Sequence, residues 1–234
     1  MKVGRRLAIK ILNAARFALL QAEPRGAISE PLDRGMLTAL ARLVEDSTVQ
    51  LEGYDYARVL ERTEAFFWAF CDDYLELVKS RRYGDFGPEA AASANSAMLV
   101  ALSTLLRLFA PYLPFVTEEV WSWWQSGSIH RSAWPTAAEV VAPIGGRDDA
   151  ALAVRLATQE ALADVRRIKS MLKKPVKAVI ERATLPESLA PLTPAARDFR
   201  AATHIRDLQF GPVAEAQIVF AEEATATPVE EPRA

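Results

Sequence analysis

KVGRRLAIKILNAARFALLQ, about residues 2–21, reads as a helix that stops before Glu23-Pro24-Arg25-Gly26 and presents two chemically distinct faces. On a helical wheel at about 100° per residue, Lys2, Arg5, Arg6, Lys10, Asn13, Arg16 and Phe17 gather within an arc of about 140°. Val3, Leu7, Ile11, Ala14 and Ala18 take the other side. A helix with one apolar stripe must bury it against further elements of the chain.

The residues that follow supply them. Apolar side chains recur at three- and four-residue spacing between Pro, Gly and Asp breaks through about residue 135, which predicts four or five helices. The second opens at Pro31-Leu32-Asp33, where the Asp33 carboxylate is placed to cap free N–H groups, and turns Leu37, Leu40, Ala41 and Val44 inward. The third runs from about Tyr56 to Arg81, offers Phe66, Phe67, Phe70, Tyr74, Leu77 and Val78 to the core, and ends at the loop Tyr83-Gly84-Asp85-Phe86-Gly87-Pro88. A fourth spans about 89–109. Pro111 and Pro114 then force a break before a shorter helix at 115–125, with Glu118 and Glu119 suited to its first turn. Residues 1–135 therefore read as a mainly α, up-and-down helical bundle.

The character changes after Trp134-Pro135. A long amphipathic helix near 149–172 precedes a β-leaning run, Val176-Lys177-Ala178-Val179-Ile180, and another helix near 193–203. Leu208-Gln209-Phe210 and Gln217-Ile218-Val219-Phe220 read as short strands. Residues 136–221 thus form a small α+β subdomain. The acidic tail 222–234, rich in Ala, Thr, Glu and Pro without an apolar period, is expected to be disordered.

Composition narrows the function classes. With 50% hydrophobic and 25% charged residues the 234-residue chain is an ordinary globular sequence. Lys10, Asn13 and Arg16 interrupt the N-terminal apolar run, so it is read neither as a signal peptide nor as a membrane span. The single cysteine, Cys71, forms no internal disulfide and fits a reducing, cytoplasmic setting. His130 and His204 stand far apart without ligand-spaced neighbours, so no metal site is expected. A net charge of −2 argues against a polyanionic partner, but its distribution argues for one. Residues 1–16 hold Lys2, Arg5, Arg6, Lys10 and Arg16 with no acid, and a second basic cluster runs Arg166, Arg167, Lys169, Lys173, Lys174, Lys177.

The ring of Phe17 on the basic face is the informative feature. Such a ring can stack on an unpaired base while neighbouring cations neutralise phosphates, the way single-stranded RNA loops are held. Lys2, Arg6, Lys10, Asn13, Arg16 and Phe17 are the primary RNA-binding candidates. Arg5, Arg166, Lys169 and Lys173 are secondary ones, the last three following one helical face. The residues alone leave a second reading open, in which Phe17 tucks into a neighbouring helix and the charges form a solvated face. Trp68, Trp121, Trp123 and Trp124 are assigned to packing. Asp72 and Asp73 point about 100° apart on a helix with no nucleophile nearby, which makes them capping or ion-pair residues. No residue is read as catalytic.

Several runs resemble the anticodon-binding region of the class I aminoacyl-tRNA synthetases for valine, isoleucine and leucine. RRLAIKILNAARF (5–17) is similar to the helix that follows the family's catalytic domain, and PLDRGMLTAL (31–40) to the start of the next helix. FFWAFCDDYLELVKSR (66–81), LLRLFAPYLPFVTEEVW (105–121) and SIHRSAWP (128–135) follow in the family's order, and KVGRRLAIKILNAARF favours the valyl branch.

The resemblance implies a module that grips the anticodon stem-loop of valine tRNA, not DNA. In the valyl branch the Lys, Arg and Phe of the corresponding helix contact the anticodon loop, which carries over to Lys10, Arg16 and Phe17. The family's His-Ile-Gly-His-type and Lys-Met-Ser-Lys-Ser-type signatures are absent here, and no Gly-rich phosphate loop replaces them. The expectation is a binding piece without catalysis and without cofactors, whose partners are tRNA and a catalytic domain N-terminal to it that would use ATP and Mg²⁺. Met1 enters the first helix without a cap residue, as if the chain were cut at an internal methionine. The same region of an isoleucyl or leucyl enzyme is the nearest alternative. A helical protein-interaction scaffold without RNA binding is the alternative of another class.

Overall fold

The computed structural model describes residues 2–20 and 23–221, without the side chains of residues 2 and 3. The side chain of Lys2 and the tail 222–234 lie outside the described residues. Helix α1 (Lys2–Leu20) is followed by α2 (Pro31–Glu52), α3 (Tyr56–Ala69), two short segments α4 (Leu75–Leu77) and α5 (Lys79–Arg82), α6 (Pro88–Phe109) and α7 (Pro114–Ser122). These form a helical bundle. Its core gathers Leu7, Ile11, Met36, Leu40, Phe67, Phe70, Met98, Leu105 and Phe109, and Phe67 meets Phe109 edge-on at 5.5 Å between centroids. Short α8 (Ala137–Val141) covers one side of α2. By length and apolar content α6 matches a membrane-crossing helix, yet 78% of its most apolar window is buried within this bundle, where it serves as the central core helix.

The long helix α9 (Asp149–Met171) leads into β1 (Ile180–Pro186), a 3-10 stretch (Glu187–Ala195), α10 (Ala196–Thr203), β2 (Ile205–Gly211) and β3 (Gln217–Phe220). The sheet order is β2-β1-β3, with β1 parallel to β2 and antiparallel to β3. Parallel neighbours need a crossover, which the 3-10 stretch and α10 provide. A second core of Ala161, Leu162, Val165, Ile180, Leu185, Leu192 and Phe199 fills the space between α9 and the sheet, and Leu32 and Leu77 of the bundle reach into it. At the α2–α9 crossing, a Cβ on Gly35 would stand 2.2 Å from the carbonyl oxygen of Ala151, so the absence of a side chain permits the approach.

Four local expectations need correction. The third predicted helix is interrupted by a π-turn at Phe70–Tyr74 and a break at Val78, although residues 56–82 contain neither Gly nor Pro. Packing imposes that break, because no local signal does. Asp33 caps nothing: it is completely buried, and its carboxylate accepts hydrogen bonds from Tyr74, Arg81 and Ser93. Glu118 and Glu119 lie beyond the first turn of α7. Glu118 instead accepts from the Ser128 hydroxyl and the Ile129 amide, and Glu119 from the Trp123 indole. Finally, β1 starts at Ile180, not at Val176. The Lys169 ammonium donates to the carbonyls of Val176 and Ala178 at 2.7 and 2.9 Å, which folds that run into a turn ahead of the strand.

Candidate nucleic-acid interface

Helix α1 buries Leu7, Ile11, Ala14, Ala15 and Ala18 against α6 and α7. That anchoring leaves Arg5, Arg6, Asn13 and Arg16 exposed on its outer face. Among the described residues no carboxylate pairs with Arg5, Arg6 or Arg16. Two indoles underlie the row. The Arg6 guanidinium and the Lys10 ammonium stand 4.9 and 5.4 Å from the centroid of Trp68, and Arg16 stands 5.9 Å from Trp123. Such contacts hold cations outward over a ring face without neutralising them. Lys10 differs from the others, since its ammonium also meets the Asp72 carboxylate at 2.7 Å with both groups partly exposed. An exposed pair of this kind is worth little and opens readily to a competing phosphate.

Phe17 is half-buried, which corrects the expectation of a ring standing free on the basic face. The wheel itself contains the reason: Phe17 lies only about 60° from Ala14, at the seam between the two faces. Its ring meets Tyr83 edge-on at 6.5 Å and carries the Arg82 guanidinium at 4.1 Å. A groove of about 310 Å³ opens beside it, lined by Lys10, Asn13, Phe17, Lys79 and Tyr83 with Cys71 and Glu76 at its floor and rim. Ring, amide and ammonium groups at one concave spot are the chemistry that receives an unstacked base and its phosphate. Cys71 adds no reactivity there, because burial pushes its thiol up to about 12, against a smaller opposing effect of Lys10.

Two members of the second basic cluster, Arg166 and Lys169, are engaged within the fold. Arg166 donates to the Asp73 carboxylate at 2.6 Å and to the Asp72 carbonyl. Asp72 and Asp73 are thus ion-pair residues, as their spacing predicts. Lys169 is only 5% exposed and gives hydrogen bonds to the carbonyls of Val176, Ala178 and Thr203, so its ammonium is unavailable to a ligand. Burial lowers its pKa. Lys173 is exposed just past the end of α9.

Sequence reasoning missed Trp68, Trp123, Lys79, Arg82 and Tyr83 as neighbours of the basic face. One signal was present. Trp68 follows Glu64 by one helical turn, and its indole donates to that carboxylate at 3.1 Å, which marks the polar side of α3 and not the core. Among the described residues no three His, Cys, Asp or Glu side chains stand together in a way that could hold a metal ion.

Comparison with known proteins places this geometry in context. The family described as the anticodon-binding domain of tRNA ligases matches residues 33–181. A valine–tRNA ligase of Thermobifida fusca is 50% identical over 225 residues, covering 93% of this chain and 25% of the relative. Those of Salinispora tropica and Leifsonia xyli are 47% and 46% identical, covering 89% and 90% of this chain. The chain spans about a quarter of the length of the curated relatives it matches.

Proposed function

The chain belongs to the family of tRNA-ligase anticodon-binding domains, and from that premise we propose that the outer face of α1 grips the anticodon stem-loop of valine tRNA. The observation that carries the reading is the row of Arg5, Arg6 and Arg16, which has no carboxylate partner among the described residues and leads to the groove at Phe17. Phosphates bind along the row by displacing counterions, and one loop base enters the groove against Phe17 with Asn13 in reach of its edge. Lys10 turns from Asp72 to the RNA backbone as binding proceeds.

In this reading the chain positions tRNA for an activity located elsewhere in a longer, cytoplasmic protein. The ATP- and Mg²⁺-dependent joining of valine to tRNA belongs to a catalytic domain of that longer protein. Parallel titrations of valine, isoleucine and leucine tRNA transcripts test the assignment. Tightest binding of the valine transcript is expected. Equal affinity for all three would refute valine selectivity in this module, and no binding to any would refute the RNA reading.

A further inference from the structure

Arg81 and Arg82 are consecutive, both buried, and treated in opposite ways. Arg81 directs Nε and both terminal nitrogens at Asp33, Asp198 and the Ala90 carbonyl. Arg82, 5% exposed, has no carboxylate partner among the described residues, and its Nε is buried without a hydrogen-bond acceptor. Its guanidinium lies over the face of Phe17, 4.1 Å from the ring centroid. A buried guanidinium N–H left without an acceptor is unfavourable, so its retention calls for a physical account.

The space beside Arg82 is suited to a ligand. A cleft of about 770 Å³ lies between the end of α1, the Glu23-Pro24-Arg25 loop, the Arg82-Tyr83-Gly84 turn and the start of α6. Its one acidic member, Glu23, already meets Arg25 at 3.2 Å. Tyr83 lines both this cleft and the groove that contains Phe17, so the two concavities share a wall residue.

We propose that Arg82 binds a phosphodiester of the RNA loop in this cleft, the linkage next to the base received at Phe17. The inference rests on the RNA reading above and adds a site to it. Arg82 holds one face of Phe17, leaving the groove side of the ring for the base, and its guanidinium, which lines the cleft, closes on the adjoining phosphate. A bidentate guanidinium–phosphate contact fixes register as well as charge. One element therefore sets both the stacking ring and the neighbouring linkage.

The test is fluorescence-anisotropy titration of an anticodon stem-loop RNA against the full chain, its Arg82→Gln variant and its Arg82→Lys variant, at several salt concentrations. Arg82→Gln should weaken binding about tenfold and lower the log–log salt slope by about 0.7, the amount for one single-strand phosphate. Arg82→Lys should keep the slope. A scan of uncharged methylphosphonate linkages through the loop supplies the second measurement. One position should cost the wild type about tenfold and cost Arg82→Lys several-fold less, a comparison that holds even if Arg82→Gln does not fold. An unchanged slope in a folded Arg82→Gln, or equal linkage penalties in wild type and Arg82→Lys, would overturn the assignment while leaving the RNA reading intact. Absence of wild-type binding would remove both.

Discussion

Arg81 and Asp33 form a wholly buried bidentate pair, with Nη1 2.6 Å from Oδ2 and Nη2 2.8 Å from Oδ1. Tyr74 and Ser93 donate to the same carboxylate at 2.7 and 2.6 Å, and Arg81 continues to Asp198 at 3.0 Å. One guanidinium thus joins α2, α5, α6 and α10, the bundle to the α+β part. Burial alone would lower the Arg81 pKa, but the two carboxylates outweigh it and the guanidinium stays charged. Removing Asp33 leaves donors stranded in a dry interior. Asp33→Ala should cost about 3–5 kcal/mol of unfolding free energy, read by urea titration. A loss below about 1 kcal/mol would contradict the network's structural role.

Asp198 gives this network a pH dependence. Burial raises its carboxyl to about 6, with Arg81 opposing and Asp33 reinforcing the shift. The folded pKa lies above the carboxyl's ordinary value of 3.8, so the folded state holds this proton more tightly. The stability it contributes is complete below about pH 4 and is lost as pH rises towards 6. Asp148, whose pKa is lowered chiefly by the Ala151 amide and Arg34, acts in the opposite sense and below that window. The difference in unfolding free energy between wild type and Asp198→Asn, measured from pH 4 to 7, should therefore fall with pH. A rising difference would mean that Asp198 is held ionised.

Gly35 is the contact point of α2 on α9. Because a Cβ would collide with the Ala151 backbone, Gly35→Ala must separate the helices. Its intrinsic helix propensity favours Ala by about 1 kcal/mol, yet the collision should make the variant about 1–3 kcal/mol less stable. A thermal melt unchanged or raised would show that the crossing is looser than described.

Cys71 should resist thiol reagents at pH 8 in the native protein, since its pKa of about 12 leaves almost no thiolate. Labelling by a disulfide reagent should proceed only as fast as the chain opens. Rapid stoichiometric labelling would contradict the burial of the thiol beneath the floor of the α1 groove.

Much of the bundle was legible because its helices bury one stripe each at helical spacing, and Pro and Gly punctuate them at Pro31, Pro88 and Pro114. What was hidden depends on partners distant in sequence. Asp33 looks like an N-terminal helix acid until Arg81 and Tyr74 arrive from 48 and 41 residues away. The π-turn at Phe70–Tyr74 has no breaker residue to announce it. The same limit applies at the site. The wheel placed Arg5, Arg6 and Arg16 on the outer face, but it carries no information on Arg82 and Tyr83, which enclose Phe17. Lys169 reads as a surface cation, and only the fold shows three carbonyls converging on it.

The most direct test of the central claim is the affinity of a valine-tRNA anticodon stem-loop for the wild-type chain and for Phe17→Leu, which keeps apolar packing and removes the aromatic face. The loss should be about 1–3 kcal/mol of binding free energy at constant salt. A chain carrying Arg6→Gln and Arg16→Gln should bind with a shallower salt dependence by the same technique. Wild-type affinity in Phe17→Leu, together with an unaltered salt slope in the double variant, would show that the outer face of α1 does not receive the RNA.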